Sequence, residues 1–437
     1  MTGVDADVVV LGGGPAGIGV GLALGERALV LESERVAGGL AGSVELAGAR
    51  FDLGGHSFHT PHHAVRELVF GALPMEEQKR NAWCFAGGEW LPYPFQKHFD
   101  RLSDAAIVAE CRDGLAHADP TRSCAHFEEF LDARFGPGIA RHFLRPYNRK
   151  LWGDDLSRLA ADWTAERVAA PAGVAESFAV HGGQRKPLQD DTAIAYPASG
   201  GFDEIFRALA QRLPRLALGE SAVAIDPAAR SVTTSAGRVL RWRELASTLA
   251  LPRLLSLLPD VPVPLRTAVA RLEALPVTLV MIALDGRLAT DRHRVYVPDP
   301  VVPGHKVVLN NTSSAWLRAQ PRHGIQVEVS DAEVRRVGSD NLVARTVEGL
   351  VATGLLEKPE RVTATRTLRL AYGYPVPTHE RSLIVATACQ WLGERGIVTL
   401  GRFGEWAYIN SDEALHRGLQ WGGARSATND IQSCATT

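Results

Sequence analysis

Cysteine is scarce in this chain. The five cysteines among 437 residues, Cys84, Cys111, Cys124, Cys389 and Cys434, form no CxxC and no other ligand spacing. An odd, scattered set argues against a disulfide framework and reads as reduced cytosolic thiols. No charge of one sign dominates either: 47 basic residues are scattered among 49 acidic ones, for a formal net charge of -2. The basic stripe that a nucleic acid demands is therefore lacking. The glycine-rich apolar run from Ile18 to Leu31 is broken by Glu26 and Arg27, so it cannot span a bilayer. The N-terminus enters a strand pattern almost at once, unlike a signal peptide. His62 and His63 follow His59, but no carboxylate or cysteine is spaced to complete a site with them, so no metal is expected. There is no internal repeat. These absences leave a cytoplasmic protein with no membrane and no nucleic-acid partner as the expectation. The Ala/Arg-rich composition fits a high-GC bacterial source. With 437 residues, 46% of them hydrophobic, two or three packed units are expected.

Glycine, by contrast, is abundant and patterned. The stretch VVVLGGGPAGIGVGLALGERALVLESE begins at Val8. Val8–Leu11 has the β-branched pattern of a buried parallel strand. Gly12, Gly14 and Gly17 then satisfy GxGxxG. The first allows a tight turn, the second lets backbone N–H groups approach a pyrophosphate, and the third lets helix and strand pack closely. A helix from about Pro15 to Leu24 points its positive end at that phosphate. Ala28–Leu31 reads as the second strand, and Glu32 ends it twenty residues after Gly12, where a carboxylate accepts hydrogen bonds from a ribose. The plain alternative is a structural turn with a chance glutamate.

Coarse periodicity divides the remainder. Leu102–Ala170 has a helical pattern, and Gly182–Asp191 reads as a loop. GGFDEIFRALAQRLP is another amphipathic helix, and Ser221 to Leu240 reads as a β-meander. Val277–Asp285, Arg294–Val297, Lys306–Leu309 and Gln326–Val329 have the pattern of an antiparallel sheet, and Asp331–Gly354 returns to helix. GIVTLGRFGEW is a last strand, followed by a helix from about Asp412 to Trp421 and a low-complexity tail read as mobile.

The segment after Glu32, ESERVAGGLAGSVELAGARFDLGGHSFH, carries a second glycine pair, Gly38 and Gly39. Arg35 is placed to cover an adenine or phosphate. A strand pair (Gly42–Leu46 and Ala49–Leu53) follows, then Gly54 and Gly55. This extension resembles the large flavoprotein group that includes amine oxidases, protoporphyrinogen oxidase and UDP-galactopyranose mutase, which implies FAD. The fold expected is α/β: a Rossmann-like FAD-binding domain with an inserted helical domain and an antiparallel β-sheet domain. Residues 1–75, 192–250 and 385–437 would form the discontinuous FAD-binding domain, 100–191 the helical substrate domain, and 76–99 with 251–384 the sheet domain.

From Val8 to about Gly418 the chain resembles UDP-galactopyranose mutase in particular, with the eukaryotic-type pattern. GGHSFHT resembles the histidine loop that lies against the flavin, matching His56 and His59; otherwise these histidines cap a turn. LPYPFQKHF resembles the uridine segment, with Phe95 to stack on uracil and Gln96 for its edge, unless Tyr93 and Phe95 are core aromatics. PYNRKLWGDD and ADWTAERVAAP match aromatic positions at Tyr147 and Trp152 and the diphosphate arginine at Arg167, whose bland alternative is a surface arginine. RVYVPDPVVPGHKVVLNNTS matches a tyrosine at Tyr296 and places Lys306 where the family has a second diphosphate arginine. YGYPVPT matches a phosphate tyrosine at Tyr374. In GRFGEWAYINSDEA, Gly401 and Arg402 match the flavin contact, Tyr408 a phosphate contact and Asn410 a sugar contact.

The chain also departs from that pattern. Arg294 replaces a tryptophan just before Tyr296, and LPVTLVMIALD lacks the arginine of bacterial mutases. The resemblance implies catalytic roles for His56, His59, Arg402 and Asn410. It implies attack of reduced flavin N5 on the anomeric carbon of an NDP-sugar or sugar phosphate, then ring isomerisation. NAD(P)H is one candidate reductant and a homodimer one candidate assembly. The alternative is net redox by an oxidase, dehydrogenase or desaturase of a secondary metabolite, since fold does not fix chemistry. A structural protein that retains FAD is a third reading.

Overall fold

The computed structural model describes residues 4–119, 121–164 and 193–434, with side chains described as far as residue 426. Two seven-stranded sheets organise it. In the first, Ala6–Leu11 lies between Ala28–Glu32 and Val239–Ser247, parallel to both. Val239–Ser247 changes partners along its length. Its start is antiparallel to Ser231–Thr234, and its end is parallel to Ile397–Thr399. Ala222–Asp226 and Leu216–Leu218 are the outer strands.

Alternation explains the unbroken apolar run in the first strand. Val8 and Val10 enter one core with the helix Pro15–Leu24, while Val9 and Leu11 enter another with Leu251, Leu254 and Leu392. Both faces of a parallel sheet are covered, so both sets of side chains must be apolar.

The second sheet runs in the order Val362–Pro375, Ala274–Leu284, Gly324–Ser330, Lys306–Val308, Arg294–Tyr296, Ala82–Ala86, Glu89–Pro92. Its pairings are antiparallel except between Arg294–Tyr296 and Ala82–Ala86. One face sends Val280, Val295, Val307 and Val327 into a core beneath the helix Leu342–Ala352. The period of two then commits Arg294, Tyr296, Lys306, Gln326 and Glu328 to the opposite face. Against that side packs a helical unit, Ala105–Ala116, Phe127–Ile139 and Arg145–Trp152, whose core holds Phe95, Phe127, Phe135 and Phe143.

Several elements differ from the sequence pattern, two of them with consequences for the fold. Val362–Pro375 is a 14-residue strand that periodicity did not mark, because it is an edge strand with much of its length wet. The last helix spans Ser411–Cys434, so the stretch read as a mobile tail continues the helix. That helix crosses Pro15–Leu24 at very close range. A Cβ on Gly418 would lie 2.1 Å from the Ala16 carbonyl, and one on Gly19 would lie 2.5 Å from the Leu415 carbonyl. Gly182–Asp191 and the end of Leu102–Ala170 lie outside the described residues. Among the described residues, no helix is long and apolar enough to cross a membrane.

Candidate active site

The glycine turn has the form a dinucleotide needs. Gly12 takes φ +100, and its N–H donates to the Leu31 carbonyl at 2.8 Å. A Cβ on Gly17 would fall 1.9 Å from the Gly12 carbonyl, so helix and strand could not approach with any other residue. Nothing lies within 4 Å of a Cβ on Gly14, at the start of the helix Pro15–Leu24, and no side chain caps that helix there. Glu32 is buried at the end of its strand and accepts from the N–H groups of Gly13 (2.7 Å) and Glu34 (2.8 Å). Gly38 (φ +128) and Gly39 (φ +56) close over this turn, with Gly38 N–H donating to the Gly13 carbonyl at 2.9 Å. Arg35 is exposed beside them. Gly401 (φ +82) completes the rim: its N–H donates to Glu405 at 2.7 Å, and its Cα faces Ala16. These residues fit the pyrophosphate and ribose of a dinucleotide.

The histidine loop sits where this cradle meets the charged face of the second sheet. Gly55 N–H donates to Glu328 Oε1 at 2.8 Å. The other oxygen of Glu328 pairs with Lys306 Nζ at 2.8 Å and accepts from the Tyr374 hydroxyl at 3.0 Å. Burial opposes the Glu328 charge, but Lys306, His305 and these hydrogen bonds prevail and hold its pKa down to about 2. Lys306 was expected to be a diphosphate cation. The structure gives it a buried carboxylate instead, which the sequence analysis missed. The only signal was a glutamate standing between valines in QVEVS.

His56 stacks at 4.9 Å, tilted, on Phe202, and its Nδ1 finds no partner among the described residues. Burial, followed by the charge of Arg294, with Arg402 and Lys306 adding to it, lowers its pKa to about 3. It is a neutral imidazole, not a proton donor, across the physiological range. His59 lies apart, hydrogen-bonded to the Ala193 backbone, its pKa lowered by burial and by Arg80. Arg80 was missed as well: its Nη2 donates to the Tyr296 hydroxyl at 3.1 Å. Burial raises the Tyr296 phenol, yet Arg80, Arg294 and Lys306 more than offset that and lower it.

Aromatic side chains wall the other side. Tyr147 meets Tyr296 at 5.9 Å, Trp152 meets both Tyr374 (6.2 Å) and Tyr408 (6.1 Å), and Tyr374 meets Tyr408 at 5.3 Å. Arg402 is fixed beneath them, with Nε donating to the Ile409 carbonyl (2.8 Å) and Nη1 to that of Gly373 (3.1 Å). Asn410 is half-buried immediately before the last helix, and its carbonyl accepts from Ala414 N–H at 3.0 Å. Phe95 and Gln96 require a correction. They are 1% and 3% exposed, and Phe143 stacks on Phe95 at 4.8 Å. They are core residues, and the expected uracil platform is not presented. Arg167 lies outside the described residues. Among the described residues, no group of three or more His, Cys, Asp or Glu is placed to hold a metal.

Comparison with known proteins places this geometry in context. The model of a family described as flavin containing amine oxidoreductase matches residues 22–366. A crystal structure of reduced UDP-galactopyranose mutase superposes with a TM-score of 0.87 at 25% identity, covering 97% of this chain and 94% of that one. A putative protoporphyrinogen oxidase from Exiguobacterium sp. 255-15 gives 0.72 at 14% identity, over 97% and 99%. Putrescine oxidase bound to putrescine gives 0.68 at 15% identity, over 97% and 99%. The last two are similar in fold.

Proposed function

The chain belongs to the flavin containing amine oxidoreductase family, and from that membership and the charge of the site we propose that it is an FAD enzyme whose substrate is an anion, a nucleotide-activated or phosphorylated sugar, which it isomerises without net redox. One observation carries this reading. Arg294, Lys306 and Arg402 surround His56, and Arg80 joins Arg294 and Lys306 around Tyr296. Glu328, the carboxylate that contacts this group, is already engaged by Lys306. Such a field attracts phosphate and repels the ammonium of an amine substrate. The likeness to UDP-galactopyranose mutase, at higher identity than to the oxidases, supports the same choice.

Bound FAD supplies the electron-rich ring at which such chemistry occurs. The chain's own residues then have limited tasks. Tyr296 and Tyr408 offer hydroxyls to the leaving phosphate, where donors act in a water-poor site, while the Tyr374 hydroxyl is committed to Glu328. Glu328, held ionised, keeps Lys306 and Tyr374 in place and donates no proton. His56, being neutral, offers hydrogen bonds without adding to the positive charge. With Phe95 and Gln96 packed in the core of the helical unit, the proposal rests on the anionic group rather than on uracil.

Net oxidation is the second reading, favoured by the family itself. The two part in a binding test on the FAD-loaded protein with UDP, glucose 1-phosphate and putrescine. The anions should bind and putrescine should not. Putrescine binding more tightly than either anion would contradict the proposal.

A further inference from the structure

Arg294 is the departure from the mutase pattern that the structure makes most specific. It lies in the strand Arg294–Tyr296, on the same sheet face as Tyr296, Lys306 and Glu328. Its Nη2 donates to Ser57 Oγ at 3.2 Å, and its Nε would lie 3.2 Å from a Cβ on Gly55. It therefore sits against the histidine loop, the reacting end of the site in the reading above. Lys306 is neutralised by Glu328 at 2.8 Å, but no carboxylate among the described residues reaches Arg294 within ion-pair distance. A guanidinium out of bulk water and without a counter-ion is costly unless a ligand provides one. Burial first, then the charge of Arg80, pushes the Arg294 pKa down, against the opposing pull of Tyr296 and of the more distant Glu328.

A second observation lies in the same cross-strand row. Arg294 pairs with Val308, and Val308 pairs with Gln326. Gln326 is 1% exposed, and neither of its amide atoms finds a partner among the described residues. A buried primary amide left unsatisfied is rare and calls for a ligand or a water. The row thus offers, on one face, a guanidinium bonded to Ser57 and Tyr296 with no carboxylate in ion-pair reach and, across Val308, a buried amide without a partner among the described residues.

We propose that this row binds an oxyanion carried by the sugar itself, a carboxylate or a phosphate ester distinct from the anomeric phosphate. The substrate class is then a sugar with two anionic ends: a nucleotide-activated or phosphorylated uronic acid, or a sugar bisphosphate. Arg294 is a specificity-determining residue for the second anion, and Tyr296 positions it through their shared strand. This rests on the reading under "Proposed function", which concerns the first anion.

The test uses the FAD-loaded protein and calorimetric binding. UDP-glucuronate is compared with UDP-glucose, and glucose 1,6-bisphosphate with glucose 1-phosphate; acetate and inorganic phosphate are titrated alone. The doubly anionic member of at least one pair should bind tenfold or more tightly, and which pair responds separates carboxylate from phosphate ester. Arg294→Gln should bring that preference to within twofold, and Arg294→Lys should keep part of it, both with unchanged FAD content. Equal binding within both pairs, or a preference that survives in Arg294→Gln, would overturn the inference. Loss of FAD from Arg294→Gln with FAD retained by Arg294→Lys would also overturn it, since the guanidinium would then serve the cofactor. If no sugar phosphate binds at all, the functional reading fails on its own. Acetate or phosphate binding that is lost in Arg294→Gln would still uphold an anion site at this row, and its absence would remove it.

Discussion

Asp52 is fully buried behind the histidine loop and receives hydrogen bonds from Ser43 Oγ (2.7 Å), the Tyr196 hydroxyl (2.8 Å) and Phe202 N–H (3.1 Å). Burial outweighs these donors, and its pKa rises from the ordinary 3.8 to about 6. A carboxyl raised on folding contributes stability that is complete below its unfolded pKa and is lost as pH rises through the folded one. The step therefore lies between pH 4 and 6 and amounts to about 3 kcal/mol by linkage. Urea unfolding should show it in the wild type and not in Asp52→Asn; parallel pH dependences would contradict it. Lys306 belongs to the same scale. Lys306→Met leaves Glu328 buried without its cation and should cost about 3–5 kcal/mol, most of it recovered in the double variant with Glu328→Gln. A single variant within 1 kcal/mol of wild type, roughly the value of an exposed pair, would mean that Lys306 is held for a ligand instead. Lys306 was legible as a charged site residue because of its place in the motif. Its partner was not, because the pairing comes from the register of the next strand of the sheet, Gly324–Ser330, and register is set by tertiary packing.

Among the elements, the contact between Pro15–Leu24 and Ser411–Cys434 couples the ends of the chain. The glycines that permit it, Gly19 and Gly418, lie almost 400 residues apart in the sequence order. Gly418→Val should force the last helix off, displace the N-terminal turn of the first helix and weaken FAD binding at least tenfold, about 1.4 kcal/mol or more. Flavin content after gel filtration, with circular dichroism for helix loss, checks this; full flavin retention would refute the coupling. The first strand, first helix and second strand were readable to within two residues, since GxGxxG and a continuous apolar run are local signals. The Gly19–Gly418 contact was unreadable because glycine at an interface looks like glycine in a turn. Lys150 was similarly opaque. Its ammonium is surrounded by the carbonyls of Val297 (3.0 Å), Val302 (2.7 Å) and Gly304 (3.1 Å), together with that of Asp299, and so gathers the loop between Tyr296 and Lys306. In the sequence it is one basic residue in PYNRKLWG.

At the scale of the whole molecule, the glycine cradle belongs to the first sheet and the cations to the second, and the histidine loop joins them through Gly55 and Glu328. The α/β class and the cofactor type were legible because they follow from short motifs. The motifs at Lys306 and Arg402 led to the expectation of a cationic site, but the part that Arg80 takes in it was not readable. The near-zero net charge of -2 conceals a local excess formed by residues from separate strands. That field argues for a phosphorylated substrate, and the likeness to a mutase argues for chemistry without net electron transfer. Both claims meet in one anaerobic measurement. The FAD-loaded protein is reduced once, given a panel of NDP-sugars and sugar phosphates, and followed for products by chromatography while reducing equivalents are counted. Many turnovers per reduced flavin, with a product isomeric with its substrate, is the result predicted here. Loss of one equivalent of reductant per product, or no isomeric product under these conditions together with substrate oxidation once oxygen is admitted to the oxidised enzyme, would contradict it and point to net redox chemistry.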